Sequence, residues 1–254
     1  MTRLSAEIRG WFGILRSLRV YHGDRRHRDG LERLYAPLLR DGDLAFDLGA
    51  HVGDRVRVLR RLGARVVAVE PQPRPARLLR AMFGRDAGVT IVEAAVDSSP
   101  GIIELRINGA NPTVSTVSEK MVTAAAGHER WRREVWDETV RVEATTIDRL
   151  IVAHGEPAFI KIDVEGLEDR VLAGLNRPVR VLSFEFTTLQ RDVALRSLER
   201  AGELGYRQFN LSLGESHEMT MAEPCTLDAM RDRLLALPDA ANSGDVYCFF
   251  DRKG

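Results

Sequence analysis

The sequence predicts an α/β fold in which a parallel β-sheet is covered by helices on both faces. Three observations lead there. From Asp41 onward, short apolar runs rich in β-branched residues alternate with stretches of helical periodicity. The runs lack the in-and-out alternation of a half-solvated strand, so both of their faces are expected to be buried. A chain of 254 residues with 44% hydrophobic side chains can fill one large core, and no Pro/Gly/Ser-rich linker divides it.

Taken in order, residues 1–40 read as a helical leader. They hold nine arginines against four acids, and Leu4, Ile8, Trp11, Phe12, Leu15 and Leu18 share one helical stripe. An irregular polar stretch, 21–30, and a second short helix, 31–40, are expected next. The stripe is expected to pack on the chain's own body, with a membrane-surface or subunit contact (a homodimer through this helix) as the alternative. Residues 41–254 form the main domain. Its strands are expected at 44–48, 65–70, 89–96, 159–164 and 179–186, with helices at 54–62, 75–83, 167–175 and 189–204. Two late strands, 206–213 and 245–251, bracket a helical insertion near 226–237. A long excursion, 101–157, carries strands at 102–107 and 139–144 and a helix over about 117–137. Segments inserted at a sheet edge often build the substrate pocket.

Composition narrows the function. The 37 basic and 37 acidic residues cancel, without the basic excess of a dedicated nucleic-acid binder. Two cysteines, Cys225 and Cys248, exclude a disulfide-dense scaffold and a four-thiolate zinc site. No apolar run is long enough to span a membrane and no secretory signal pattern opens the chain, so a cytoplasmic protein is expected.

Residues 47–54 (DLGAHVGD) join the first strand to its helix. A strand, glycine turn and helix offer backbone N–H groups and the positive end of a helix to a ligand. Glu70 ends the second strand, where an acid of a doubly wound sheet accepts hydrogen bonds from ribose hydroxyls. Position 51 is His where a dinucleotide turn needs its middle glycine. The turn therefore suits a smaller nucleoside ligand and disfavours a nicotinamide-dependent oxidoreductase.

The segments 47–54, 67–72 (VAVEPQ), 93–97 (EAAVD), 161–168 (KIDVEGLE) and 183–186 (SFEF) occur in that order. Together they resemble the FkbM family of S-adenosylmethionine-dependent methyltransferases, with KIDVEG the most specific part. The resemblance implies a Rossmann-like class I methyltransferase fold, a mostly parallel seven-stranded sheet with its last strand antiparallel. It also implies O-methylation of a hydroxyl on a sugar, glycolipid or polyketide-type metabolite. By carry-over, Asp47, Gly49 and Gly53, with Ala50 and His51 in the same turn, would line the methionine part of the cofactor. Glu70, followed by Pro71, would hold the ribose, and Ala95, Val96 and Asp97 would sit near the adenine.

Methyl transfer to an aliphatic hydroxyl needs alignment and a destination for the alcohol proton. Asp163, Glu165 and Glu185 stand at neighbouring strand ends, facing the crevice where such sheets bind ligands. Three readings compete. Asp163 and Glu185 could hold Mg²⁺, a carboxylate could be the base, or the acids could serve loop N–H groups and Lys161. Asp163 would also border the cofactor. The six histidines show no metal-binding pair in sequence, so zinc is not expected. His217, in the late insertion, is the histidine nearest a catalytic role. Trp131 and Trp136 are expected to pack in the core. A catalytically silent binding protein of the same fold is the remaining alternative.

Overall fold

The computed structural model describes residues 3–128, 131 and 134–250. Helix α1 (Arg3–Gly23) runs almost directly into α2 (Arg25–Tyr35). The expected irregular stretch shrinks to Asp24, whose carboxylate caps α2 by accepting the Arg26 N–H at 2.8 Å. The predicted stripe does not become the buried face of α1. Phe12 and Leu15 are 68% and 57% exposed, Trp11 and Leu18 half-buried, whereas Gly10, Gly13, Ile14 and Ser17 are buried. The side chains of Leu4 and Ile8 lie outside the described residues. Small side chains win the interface because they let the helix sit closer to the body.

The main sheet is laid down by β1 (Leu44–Leu48), α3 (Asp54–Arg61), β2 (Arg65–Val69), α4 (Pro73–Phe83) and β3 (Val89–Val92). The third expected strand breaks after Val92. Its continuation β4 (Ala95–Val96) joins β5 (Gly101–Ile107) and β6 (Glu138–Thr145) in a separate three-stranded sheet of order β4-β6-β5. Between them lies α5 (Glu119–Gly127), much shorter than the expected helix and capped by Ser118, which accepts the Met121 N–H at 3.1 Å. Helix α6 (Ile147–His154), which the sequence reading missed, returns the chain to β7 (Phe159–Ile162). Then follow α7 (Glu168–Ala173), β8 (Val181–Thr187), α8 (Arg191–Glu203), β9 (Gln208–Leu213), α9 (Leu227–Ala236) and β10 (Ser243–Phe249).

The seven strands run β3-β2-β1-β7-β8-β10-β9, parallel except for β10, which pairs antiparallel with β8 and β9. This is the expected sheet with its last strand reversed. Ala45, Val66, Phe159 and Val181 face a core shared with Leu31, Leu34 and Tyr35 of α2 and with α3. Phe46, Val67, Ile160, Leu182 and Phe184 face the opposite core, filled from α6, α7, α8 and α9. Burial on both faces explains the continuous apolar runs. The order reverses at β1 and β7, which places a crevice at their C-terminal ends. Among the described residues no helix is long and apolar enough to cross a membrane.

Candidate active site

A cleft opens at those strand ends. The turn after β1 forms one wall, and it is built differently from the expected cradle of free N–H groups. Gly49 and Ala50 both donate to the Val69 carbonyl, at 2.9 and 3.0 Å, and Gly53 donates to Ala50 at 2.8 Å. The His51 N–H donates to Glu70 Oε2 at 2.8 Å. The turn is thus stitched to β2. Gly49 has φ +93, and a Cβ there would overlap the Asp163 carbonyl oxygen. Its role is to let the ends of β1 and β7 touch, which only glycine permits at this φ.

Glu70 is 2% exposed and its other oxygen accepts the Gln72 N–H at 2.8 Å. Burial pushes its carboxyl up to about 7. Asp47 is fully buried, and neither of its carboxylate oxygens has a hydrogen-bond partner among the described residues. Burial raises it to about 7, against the lowering pull of Arg55. His51 lines the cleft at φ +45 with Nε2 buried and unpartnered, and burial lowers its pKa to about 4.

Residues 161–168 form the opposite wall, and each polar residue there has a distinct task. Lys161 is wholly buried, with Nζ 2.8 Å from Asp245 and 3.4 Å from Asp163. Arg55, in the first turn of α3, reaches Asp163 at 3.1 Å. The two cations hold the Asp163 carboxyl below its usual range. Glu165 sits at φ +58 and Gly166 at φ +96, and a Cβ on Gly166 would overlap the Gln190 amide. Buried Glu168 closes the loop, accepting the N–H groups of Val164 and Gly166 at 3.3 and 3.1 Å. Glu165 and Glu185 come together with Asp163, all three offering an oxygen within 4.8 Å of the others. Burial, then the Asp163 charge, pushes both glutamic acids well above the usual carboxylate range.

Of the sequence-predicted residues, Gly49, His51, Glu70, Pro71, Ala95, Val96, Asp163, Glu165 and Glu185 line the cleft. Asp47, Ala50 and Gly53 lie in or beneath the turn without lining it. Asp97 is turned to Arg170, whose Nε donates at 3.0 Å. His217 is buried against α2, with Nε2 3.0 Å from His27 Nδ1. Trp136 donates to the Val114 carbonyl at 2.8 Å and does not line the cleft, and neither does Trp131.

Sequence reasoning missed Tyr21, Arg55, Glu215 and Asp245. The first three line the cleft. Asp245 faces Glu185 across the antiparallel β8–β10 ladder, a pairing no sequence spacing reveals. Tyr21, from the leader, and Glu215, from the loop after β9, cover one side, and Thr113 and Ser115 of the excursion cover another.

The lining is apolar at Val69, Pro71, Ala95, Val96 and Leu105, bears a buried carboxylate at Glu70, and is acidic at its far end. The buried Glu70 carboxyl beside an apolar wall fits the ribose and base of a nucleoside. The unpartnered His51 nitrogen adds a polar contact on the same wall.

The profile described as Methyltransferase FkbM domain matches residues 47–207. No curated protein matches the sequence significantly. Among solved structures, the TehB-like SAM-dependent methyltransferase from Corynebacterium glutamicum is similar with TM-score 0.50 at 13% identity, covering 98% of this chain and 100% of that one. Precorrin-6y C5,15-methyltransferase from Geobacter metallireducens aligns with TM-score 0.44 at 13% identity, over 86% and 85% of the two chains. Aeropyrum pernix fibrillarin with natively bound S-adenosyl-L-methionine aligns with TM-score 0.42 at 13% identity, over 84% and 68%.

Proposed function

Because the chain belongs to the FkbM methyltransferase family, we propose that it methylates a hydroxyl of a small molecule, of sugar, glycolipid or polyketide type, using S-adenosylmethionine. The observation that carries this reading is that Glu70 and the clustered Asp163, Glu165 and Glu185 carboxyls line one cleft. When bound, the donor supplies an electrophilic sulfonium methyl. Glu70 would hold its ribose hydroxyls beside Pro71, and Ala95 and Val96 its adenine, with Asp97 behind them. Gly49 and His51 would flank its methionine part, supported from beneath by Asp47, Ala50 and Gly53.

The acceptor enters between Tyr21, Glu215, Thr113 and Ser115, a polar rim suited to a polyhydroxylated molecule. The acceptor hydroxyl then hydrogen-bonds to Asp163, which Lys161 and Arg55 keep ionised. As the oxygen takes the methyl, its proton passes to that carboxylate and on to solvent. Glu185 and Glu165, which hold their protons, orient the acceptor oxygen.

A second version is favoured by the closeness of the three acids. Asp163, Glu185 and Glu165 would hold Mg²⁺, which supplies charge for an oxygen that is losing its proton. Chelation separates the versions. In the first, a chelator leaves the rate unchanged. In the second, the rate falls and returns with Mg²⁺ or Mn²⁺. In both, the Asp163→Asn, Glu185→Gln double variant loses about 10²–10⁴-fold in rate while binding the methyl donor. Full turnover by that variant against a panel of hydroxylated acceptors refutes both.

A further inference from the structure

The leader and the loop after β9 meet in a second constellation. His27 of α2 and His217, 190 residues apart, face each other through Nδ1 and Nε2 at 3.0 Å. Glu215 Oε2 is 3.5 Å from each of these nitrogens. The other ring nitrogen of His27 is 2.9 Å from Asp54 Oδ2. We propose that His27, His217 and Glu215 bind a zinc ion, or a first-row divalent ion of the same ligand preference, between the leader and the late insertion.

Three features carry the inference. The first is geometric. Zinc bonds of about 2.0–2.1 Å to imidazole nitrogen and about 2.0–2.2 Å to carboxylate oxygen place neighbouring donors of a tetrahedron about 3.3–3.5 Å apart. The observed triangle, with edges of 3.0, 3.5 and 3.5 Å, therefore needs only a few tenths of an ångström of opening to form one face of that tetrahedron. The second is the partner of His27. A histidine that ligates zinc through one nitrogen commonly gives its other N–H to a carboxylate, which fixes tautomer and ring orientation. Asp54, 7% exposed, stands in that position. The third is backbone. His217 occupies φ +53, an unfavourable conformation for a non-glycine residue, and is held there with its ring 9% exposed.

Two histidines and one glutamate leave a fourth position open, as in zinc sites that bind water or a ligand oxygen. Glu215 and Asp54 also line the cleft, so the ion stands in its wall. Bound there, it clamps α2 to the loop after β9, whose Glu215 covers the acceptor side. This set is distinct from the Asp163, Glu165 and Glu185 carboxylates, which contain no nitrogen donor.

The test uses tag-free full-length chain, stripped of metal and titrated with Zn²⁺ against a chromophoric chelator, then with Co²⁺ followed by visible absorption. One equivalent of Zn²⁺ is expected, with the intense Co²⁺ bands of a four-coordinate site. The His27→Ala, His217→Ala double variant should lose both signals. Asp54→Asn should bind about 10–100-fold more weakly, the range for removing such an orienting partner. Should the double variant fail to fold, Glu215→Gln, at an exposed side chain, carries the same test with weaker binding expected. Equal Zn²⁺ affinity in wild type and Glu215→Gln, or no binding by wild type, overturns the proposal and leaves a hydrogen-bonded histidine pair. Co²⁺ bands lost in Asp163→Asn but kept in the histidine variant also overturn it, by moving the ion to the carboxylates.

Discussion

Glu70 is the residue whose substitution separates fold from ligand most cleanly. Its two oxygens each accept one backbone N–H, from His51 and Gln72 at 2.8 Å, inside a wall that water barely reaches. Glu70→Ala orphans both donors. At about 1–3 kcal/mol for each buried unsatisfied group, it should lose about 2–6 kcal/mol of stability before any ligand is considered. Glu70→Gln keeps one acceptor oxygen and the side-chain shape, so it should lose about half of that. The ribose contact is a separate loss. Above about pH 7, where Glu70 is ionised, a hydrogen bond to its charged carboxylate is worth about 1.5–3 kcal/mol, or about 10–150-fold in Kd, and both variants should lose it.

The pH dependence of stability gives an internal control. Burial raises Glu70 from 4.5 to about 7, so the folded state favours the protonated form. Its contribution is fully present below pH 4.5 and is lost as pH rises through about 7. Glu70→Gln cannot titrate and should flatten the stability profile in that window. Asp47 and Glu168, also raised to about 7, should leave a residual slope. Urea denaturation across the window measures the first effect and calorimetric titration with S-adenosylmethionine the second. A folded Glu70→Gln with wild-type affinity refutes the ribose assignment, and an unchanged slope refutes the buried-carboxyl argument.

Two further outcomes follow from the geometry. Gly49→Ala sets a Cβ against the Asp163 carbonyl at φ +93. Strain and overlap together should remove about 2–6 kcal/mol, which thermal denaturation should read as a drop of about 4–24 °C; a wild-type Tm would show that β1 and β7 do not meet through this residue. On α1, Phe12, Leu15 and Val20 are 68%, 57% and 55% exposed. If that face pairs two chains, light scattering should give a dimer mass for wild type and a monomer mass for Phe12→Glu, Leu15→Glu, with methyl-donor affinity unchanged; a monomeric wild type removes the dimer.

The sheet was readable from the sequence because burial on both faces leaves continuous apolar runs. The cleft ends of β1, β2 and β7 were readable because their chemistry is local. Gly49, Glu70 and the 161–168 segment act within a few residues of themselves or on the adjacent strand. What the sequence hid is whatever depends on distant segments meeting. Asp245 reaches Lys161 only through the reversed strand β10, and His27 meets His217 only because α2 and the loop after β9 fold over the same edge. The helix expected over 117–137 failed for a different reason. Its described part ends at Gly127, and Trp136, read as a helical core residue, instead hydrogen-bonds the Val114 carbonyl. The α1 stripe misled because hydrophobic periodicity marks apolar faces, whereas the packed face was decided by small residues.

The leader is best understood through the charged row it covers. Asp47, Lys161 and Ser183 sit side by side on β1, β7 and β8, with Tyr247 of β10 beside them, on the sheet face that α2 and α3 cover. A lysine in that position needs its anions close and water excluded, and Tyr35 of α2, 1% exposed, supplies part of that cover. Lys161 of that row pairs with Asp245 and Asp163, and with Arg55 it keeps Asp163 ionised at the cleft floor. A buried pair broken on one side leaves an uncompensated charge worth about 3–5 kcal/mol. The helix that shields the row therefore also protects the protonation state of the proposed base. Tyr21 of α1 lines the mouth of the cleft, while α2 covers the buried sheet face behind it and keeps water from the lysine that holds Asp163 ionised.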